Sequence, residues 1–423
     1  MAVLSSINGG LKAEPSTPSP DFLRVDTGPP LPAKAEGGVD AEVREIHGAS
    51  TGDKGWLVSW AERGPDERYA RLVVRLLPPN LEQPPGGRGN AASGFAYDSV
   101  IITNQSPSSS SQTLNGNGGG WMAWQESEAI WAQWFDQAAR GPKGAPLKLH
   151  QGASNTSAVV ASAGDGHYAW LIWMSFENQS LLYLGAVMEN TPEGPVIKSR
   201  FILPQNFDPT KKPVAVEGHC LFSLIGNDIN HGVETFVLNS AGALSGHYQL
   251  EFPEGVWRGV MPMGDGFLGL WQVNYLQPVM YGREMTRTGD WKEGSVAAVI
   301  TTLSLQRQGD YEFTPGPGGL VISVGESGAV LVRSDKSIST LAALDERVRN
   351  FYATANGQVL QLCSNPASDQ LRARQVPDGA SSLRPAILTE GSGRQTAPSL
   401  AWTSSGPQVV FQVESYGYEQ GGW

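Results

Sequence analysis

Eight acidic or amide side chains recur directly after short runs of aromatic and branched residues. They are Glu62, Glu126, Glu177, Asp228, Asn274, Glu326, Asn365 and Glu414. Paired carboxylates with different surroundings act as acid and base in glycoside hydrolysis, and carboxylates and amides also bind polar ligands. The alternative is a turn role, because such residues satisfy the backbone at hairpin ends. The predicted binding residues of this set are Glu62, Glu126, Glu177, Asn274 and Glu326.

Aromatic residues form the second group of candidates. Trp121, Trp124, Trp131, Trp134 and Phe135 fall in one stretch of the chain, and Trp170 and Trp173 fall in the next. Aromatic rings stack on sugars and on partner side chains, although most tryptophans of a folded repeat fill its core. Trp131 and Trp134 are the predicted binding residues, because they lie on opposite faces of one predicted strand.

The sequence lacks the motifs of several well-known catalytic and metal sites. It contains no His-Glu-x-x-His helix, no Cys pair at zinc spacing, no phosphate loop and no Gly-x-Ser-x-Gly elbow. Of the six histidines, His167 and His219 occupy equivalent repeat positions, which favours a structural role in turns. Cys220 and Cys363 lie in apolar runs and are predicted to be buried free thiols. We therefore expect no catalytic residue, no metal and no cofactor.

Charge and hydropathy exclude two classes of partner. The chain carries 30 Lys and Arg against 41 Asp and Glu, a net charge of −11, without a basic run that would bind phosphate backbones. The first residues lack a basic leader and a long apolar stretch, and no apolar run approaches the length of a bilayer. We expect no nucleic acid, no membrane insertion and no signal peptide, which places the protein in the cytoplasm or in a virion or similar particle.

One sequence motif repeats along the chain: a glycine turn, then a run of aromatic and branched residues, then a polar residue. Its copies begin at Gly55, Gly120, Gly166, Gly218, Gly266, Gly319, Gly357 and Gly406, so the period is about 50 residues. A second strand-like run usually follows each copy, as at 69–77 and 180–188, and further extended pieces flank each pair. The pattern predicts four short strands per repeat, and a ring of such sheets would bury both faces of each one.

These repeats resemble the β-propeller superfamily over roughly residues 43–415, and especially loosely repeated bacterial units that carry a Gly-aromatic-branched-Trp strand. They lack the repeat signatures of the WD40 and Kelch families, and a sialidase-type turn occurs once, at 51–55. The resemblance implies an all-β protein that forms a single β-propeller of about eight four-stranded blades. Seven blades is the alternative.

The chain divides into two predicted parts. Residues 1–40 form an extended arm rich in Pro, Ser and Gly, and residues 41–423 form the propeller. The last repeat supplies only two of the four expected strands. An N-terminal strand is therefore expected to complete it, either Phe22–Val25 or Val43–Ile46. Deletion of residues 1–20 is then expected to weaken assembly with partners and to leave thermal stability nearly unchanged. Deletion of residues 1–40 is expected to weaken assembly and also to lower thermal stability.

Three functions fit this sequence. The first is a non-enzymatic propeller that acts as a structural or protein-interaction component of a larger assembly, such as a virion or tail-like particle, with other protein subunits as partners. The second is a glycan-binding, lectin-like propeller. The third is a carbohydrate-active enzyme, a glycoside hydrolase or lyase. We rank the interaction role first, because the arm and the polar, weakly charged composition suit a component that docks onto neighbours.

Overall fold

A computed structural model gives the architecture of the chain. The structure describes these residues: 2–6, 26–27, 42–50, 56–63, 69–77, 100–103, 111–115, 118–126, 129–139, 141–152, 158–177, 180–224, 232–252, 255–273, 279–301, 311–316, 319–324, 329–333, 338–341, 347–353, 359–365, 370–376, 386–387, 393–403 and 406–415. All regular elements in these ranges are β-strands.

Two short strands precede the repeats, and the first four sheets follow. The strands are β1 (Ala2–Ser6) and β2 (Asp26–Thr27); β3 (Glu42–Ser50), β4 (Trp56–Arg63), β5 (Tyr69–Leu77) and β6 (Val100–Thr103) in the first sheet; β7 (Ser111–Asn115), β8 (Gly119–Glu126), β9 (Ala129–Asp136) and β10 (Gly141–Gln151) in the second; β11 (Ala158–Gly164), β12 (Tyr168–Glu177), β13 (Ser180–Thr191) and β14 (Gly194–Leu203) in the third; and β15 (Val214–Val216), β16 (His219–Leu224), β17 (Gly232–Asn239) and β18 (Leu244–Glu251) in the fourth.

The remaining strands build four more sheets in the same way. They are β19 (Val256–Met263), β20 (Gly266–Val273), β21 (Val279–Met285) and β22 (Ala298–Thr301) in the fifth sheet; β23 (Tyr311–Gly316), β24 (Gly319–Val324), β25 (Ala329–Val332) and β26 (Ile338–Leu341) in the sixth; β27 (Arg347–Ala353), β28 (Val359–Asn365), β29 (Gln370–Val376) and β30 (Ala386–Ile387) in the seventh; and β31 (Gly393–Thr403) and β32 (Gly406–Ser415) with β1 and β2 in the eighth.

The sheets are arranged as a ring. Each is antiparallel. In the first seven sheets the strands lie in chain order from the inside of the ring outward, and in the eighth the order is β31, β32, β1 and β2. The first strand of each sheet contacts the first strand of the next, and β31 of the eighth sheet contacts β3 of the first, which closes the circle. This arrangement confirms the predicted all-β propeller of four-stranded sheets.

The repeated sequence motif forms the second strand of each sheet. The strands that begin at or beside Gly120, Gly166, Gly218 and Gly266 are β8, β12, β16 and β20, which occupy equivalent places in their sheets. Gly166 and Gly218 have φ values of 91° and 78°, a left-handed conformation that favours glycine in the turn before the strand. Since second strands all run in one direction, they all end on one face of the ring, which we call the hairpin face.

The core lies between consecutive sheets, because alternate side chains of each strand point toward opposite neighbours. Trp121, Trp134, Leu171 and Trp173 pack between the second and third sheets. The other side of the third sheet packs on the fourth through Trp170, Ile172, Phe201, Phe207 and Phe222. Both faces of the sheet are therefore apolar, as the poor alternation of the second-strand sequences indicates.

An N-terminal strand does complete the eighth sheet, but it is a segment that we did not expect. Residues Ala2–Ser6 pair with β32, with Val3 opposite Phe411 and Leu4 opposite Val410. Phe22–Val25 lies outside the described residues, and Val43–Ile46 lies within β3 of the first sheet. The short run Ala-Val-Leu covers the apolar edge of β32, so deletion of residues 1–20 is now expected to lower stability. The domain boundary at residue 40 stays a prediction.

Two further sequence expectations concern the thiols and the membrane. Cys220 is a free, fully buried cysteine, and burial, followed by the negative charge of Asp165, raises the pKa of its thiol well above the ordinary value. The side chain of Cys363 lies outside the described residues, so its state stays a prediction. The described residues contain no helix with the length and hydropathy needed to cross a bilayer.

Candidate functional site

A groove of about 480 Å³ lies between the second and third sheets, on the outer part of the ring. It is lined by Leu149, His150, Gln151, Trp173, Leu184, Gly185, Arg200, Phe201 and Ile202. The groove lies near the hairpin face, because β10 and β14 end there and β12 ends beside them. We call it the inter-sheet groove.

A β-bulge in β10 directs His150 into this groove. Lys148 pairs with Trp131 and His150 pairs with Ile130, so Leu149 is an extra residue without a partner across the strand. The bulge places Leu149 in the core between the sheets, and the next side chain, His150, also faces the third sheet. A bulge reorients side chains in this way at the cost of regular backbone pairing.

Arg200 of β14 satisfies the backbone at this bulge. Its Nε donates to the Leu149 carbonyl at 3.3 Å, and its Nη2 donates to the Lys148 carbonyl at 3.4 Å. These bonds join the outer strands of two sheets. The guanidinium forms no ion pair with a carboxylate in the part of the chain that the structure describes. Arg200 is exposed, so a solvated positive charge lies on the groove wall.

His150 contacts a hydroxyl and a carboxylate of β12. Its Nε2 lies 3.3 Å from Ser175 Oγ and 3.7 Å from Glu177 Oε1, and the Ser175 hydroxyl donates to Glu177 Oε1 at 3.2 Å. Because serine has one hydroxyl proton and Glu177 accepts it, we assign Nε2 of His150 as the donor to Ser175. The three groups form a chain of hydrogen bonds from His150 to Glu177.

The surroundings of His150 favour the neutral imidazole. Burial is the main cause that lowers its pKa below the ordinary value, and the positive charge of Arg200 lowers it further. Glu177 acts in the opposite direction and raises it. The imidazole also lies over Trp173, with ring centroids 5.7 Å apart.

This chain of hydrogen bonds differs from the catalytic triad of serine hydrolases. In a triad the imidazole accepts the serine proton at one nitrogen, while a carboxylate holds the other nitrogen. Here Ser175 and Glu177 both lie at Nε2, and the Ser175 proton is directed at Glu177. Ser175 is also 1% exposed. The geometry therefore positions His150 and does not activate Ser175 as a nucleophile.

The two predicted tryptophans have different environments. Trp131 is partly buried on the side of the first sheet, and Lys148 Nζ lies 5.2 Å from the centre of its ring. Trp134 is 2% exposed and packs edge-on against Trp121 in the core, so the prediction that Trp134 is an exposed binding residue is wrong. The two rings do face opposite sides of β9, but the neighbouring sheet covers the side of Trp134 completely.

The predicted acidic residues lie at equivalent strand ends on the hairpin face. Glu126 and Glu177 are the last residues of β8 and β12, and Glu62 is the penultimate residue of β4. Glu126 accepts a hydrogen bond from Trp124 Nε1 at 3.4 Å. Asn274 and Glu326 lie outside the described residues. Among the predicted residues whose side chains the structure describes, Glu177 lies beside the inter-sheet groove and Glu126 does not, and the binding role of the whole set stays a prediction.

Sequence reasoning missed the two side chains that define the groove, His150 and Arg200. The only local signal was Gly144 and Pro146 within β10, since such residues favour irregular edge strands. The meeting of His150 with β12, and of Arg200 with the bulge, depends on the docking of two sheets. No group of three or more potential metal-binding side chains occurs among the described residues.

A second groove, of about 610 Å³, lies between the third and fourth sheets on the opposite face of the ring. Its lining includes Asp165, His167, Tyr168, Gly218 and His219. The Asp165 carboxylate accepts hydrogen bonds from the backbone N–H groups of His167, Tyr168 and Gly218, at 3.0, 2.7 and 2.6 Å. It therefore joins the turns of two consecutive sheets, which supports the predicted structural role of His167 and His219. We call it the turn groove.

Comparison with known proteins is informative only about the fold. No protein-family model and no curated protein matches the chain. The β-propeller domain of the Trilobed protease from Pyrococcus furiosus has 10% identity and a TM-score of 0.43, covering 83% of this chain and 98% of that one. Sqt1 from Saccharomyces cerevisiae has 10% identity and a TM-score of 0.46, covering 89% and 97%.

Puromycin hydrolase has 12% identity and a TM-score of 0.48, covering 85% of this chain and 56% of that one. The chain thus spans about half the length of that enzyme. Identities this low carry no information on activity or partners. The circular order of four-stranded antiparallel sheets, closed by β1 beside β32, identifies the chain as a β-propeller protein.

Proposed function

We propose that this propeller is a non-enzymatic protein-interaction component of a larger assembly. The observation that carries the proposal is an apolar rim at the hairpin-face end of the third sheet. Phe176 is 48% exposed, Leu181 is 38% exposed and Ile202 is 66% exposed. Clustered exposed apolar side chains are typical of protein interaction sites, whereas single ones are common on any surface.

The register of the third sheet places these residues at the same end of the sheet. Phe176 pairs with Leu181 across the β12–β13 hairpin, so both side chains emerge on one side of the sheet. Ile202 pairs with Leu184 and emerges on the other side, at the same end. Leu244 and Val296, which are also exposed, lie in other parts of the molecule. A partner that covers the end of the third sheet would bury all three rim residues at once.

The closed ring favours this role physically. The rim lies on strands that are fixed by hydrogen bonds to neighbouring strands and by the buried cores on both faces of the third sheet. A surface held in this way loses little conformational freedom when it binds, which reduces the entropic cost of association.

Glycan binding remains the second candidate from the sequence. Trp131 is partly exposed, but Lys148 Nζ already lies over its ring, so a sugar would have to displace this lysine. A glycan array with the wild-type protein and Trp131→Ala tests this alternative. Glycan binding that is lost in Trp131→Ala would reverse the ranking.

Site-specific crosslinking in the native host tests the interaction proposal. A photoreactive residue at Ile202 is expected to crosslink to a defined protein band, and the additional change Phe176→Ser should reduce that band at least tenfold. The same residue at Leu244, which is 54% exposed, is the control and should give no such band. Equal crosslinking at both positions, or none at Ile202, would contradict the proposal. Thermal unfolding should stay nearly unchanged, because the altered side chains are exposed.

A further inference from the structure

We propose that the free edge of β14 binds an extended, acidic segment of a partner protein as an added strand. The inference rests on the interaction role proposed above and names the chemistry of the partner. β14 (Gly194–Leu203) is the outer strand of the third sheet and pairs with β13 alone. Among the described residues, no backbone group of 195–203 bonds to the backbone of any further segment.

The outer strand of the second sheet has a protected edge. β10 contains two prolines, which lack an N–H donor, and Gly144 in its middle has a φ of 73°. Gln133 Nε2 donates to the carbonyls of Lys143 and Gly144 at 3.0 and 3.3 Å. Arg200 Nε donates to the Leu149 carbonyl at 3.3 Å. Interruptions of this kind keep a further strand from pairing.

The outer strand of the fourth sheet is covered by a neighbour. Residues 286–291, between β21 and β22, lie against β18: the Thr288 carbonyl approaches Gly246 so closely that a Cβ there would clash with it. Trp291 Nε1 donates to the Glu251 carbonyl at 3.3 Å. β14 differs from both neighbours, because it has one proline, at Pro195, and one irregularity in its pairing. A long edge without protection is a surface to which peptide strands add.

The side chains beside this edge specify the added strand. Arg200 and Ile202 pair with Ala186 and Leu184 and face the second sheet with them. Arg200 is exposed without a carboxylate partner among the described residues, and Ile202 is 66% exposed at the apolar rim. Opposite charges and apolar pairs on neighbouring strands stabilise pairing. The partner strand therefore carries a carboxylate opposite Arg200 and a branched apolar residue two positions away, opposite Ile202.

The charge of β14 disfavours a second copy of this chain as the occupant. The strand contains two cationic residues, Lys198 and Arg200, and no carboxylate. Two antiparallel copies of β14 would bring these cationic side chains onto adjacent strands, where like charges destabilise pairing. An acidic strand avoids this repulsion, so the occupant is a different polypeptide.

Nuclear magnetic resonance of the β14 amides tests strand addition. The probe is the peptide acetyl-Thr-Val-Thr-Glu-Thr-Val-Thr-amide, whose residues favour extended structure. It is symmetric about its glutamate, so pairing in either direction places the carboxylate opposite Arg200. The peptide should shift the β14 amide resonances at millimolar concentration. The same peptide with lysine in place of glutamate should bind at least about fivefold more weakly.

N-methylated peptides distinguish strand addition from docking through side chains. Methyl groups on alternate nitrogens remove the N–H donors along one edge of the peptide strand only. One alternate set of methyl groups should therefore abolish the shifts, and the other set should leave them nearly unchanged. Equal effects of the two sets would overturn the proposal, and so would the absence of shifts with the unmodified glutamate peptide.

A charge reversal tests the role of Arg200. Arg200→Glu should lower the affinity for the glutamate peptide at least about fivefold and favour the lysine peptide instead. The control Arg287→Glu, at an exposed position after β21 in the fifth sheet, should change neither affinity. An unchanged preference for the glutamate peptide in Arg200→Glu would overturn the proposal. Should this variant unfold, the methylated peptides decide, because they use the wild-type protein.

Failure of this inference is distinguishable from failure of the proposed function. A crosslinked band at Ile202 without binding of the glutamate peptide would overturn the added strand and leave the interaction role intact. Absence of crosslinking at Ile202 would contradict the interaction role itself.

Discussion

The third sheet has a groove on each side, and the two grooves differ in how many of their polar groups are paired within the protein. In the turn groove, the Asp165 carboxylate accepts three backbone N–H groups, and beside the groove Glu189 pairs with both His167 and Lys198. Beside the inter-sheet groove, the described residues supply no acceptor to the buried Trp173 Nε1 and no carboxylate to the exposed Arg200. The two grooves have similar volumes, about 610 and 480 Å³.

The internal pairing of its polar groups makes the turn groove a structural contact between two sheets. A polar group that is fully satisfied within the protein stabilises the fold and offers little to a ligand. A buried donor without a partner, such as Trp173 Nε1, has lost its solvation without gaining a hydrogen bond, which costs stability. The volume of a groove alone does not separate the two cases.

The largest expected effect is at Asp165. Asp165→Ala removes three hydrogen bonds to a charged acceptor that join the turns of the third and fourth sheets. We expect the free energy of unfolding to fall by about 3 kcal/mol in urea denaturation. Asp165→Asn keeps one carbonyl acceptor and should lose about half as much. If the free energy of unfolding of the alanine variant fell by less than about 0.5 kcal/mol, the hydrogen bonds of Asp165 would not stabilise the contact between the two sheets.

A smaller loss of stability is expected at Arg200. Arg200→Gln removes the donors to the Lys148 and Leu149 carbonyls, so the free energy of unfolding should fall by about 1 kcal/mol. The loss of the positive charge should also raise the pKa of His150, which ¹H–¹⁵N spectra of the imidazole can follow. An unchanged pKa of His150 in this variant would contradict the described placement of Arg200.

The pH dependence of stability should reveal His150. Its pKa is lowered in the folded protein, so the unfolded chain binds the proton first as the pH falls through about 6.5. The free energy of unfolding should therefore decrease from pH 7 toward pH 5, and part of this decrease should be absent in His150→Gln. Identical slopes for both proteins would show that the groove does not disfavour the charged imidazole.

The smallest effect is expected at Lys198, on the surface beside the turn groove. Its hydrogen bond to Glu189 is the main cause that raises its pKa, so its stabilising contribution is present at neutral pH and is lost as the pH rises past about 10.5. Lys198→Met should cost about 0.5 kcal/mol at low salt and less at high salt. A loss above about 1.5 kcal/mol would show a tighter network than a surface pair provides.

Much of the fold was predictable because it depends on local sequence. A glycine turn followed by aromatic and branched residues predicts a strand wherever it occurs, and all eight copies form second strands. The predicted partner runs at 69–77 and 180–188 likewise lie in β5 and β13. The closing strand was mispredicted, because three apolar residues at 2–4 become a strand only beside the edge of β32.

The candidate site was less predictable than the fold. Glu177 was found, because its strand-end position repeats along the sequence, whereas Trp134 was placed on the surface although it lies in the core. Whether a tryptophan of β9 is exposed depends on how completely the neighbouring sheet covers it. The sequence of β9 alone does not show how that sheet packs.

By itself, the sequence determined the strand pattern, the apolar character of both sheet faces and the acidic surface charge, since these follow from residue type and spacing. Only the tertiary structure decided which side chains meet. His150 reaches Ser175 and Arg200 reaches Leu149, pairs that lie 25 and 51 residues apart in the chain. Their contacts require a bulge in β10 and the packing of two sheets, and the unmet donor of Trp173 arises from the same packing. Close packing of the two sheets fixes such positions, and no local pattern encodes them.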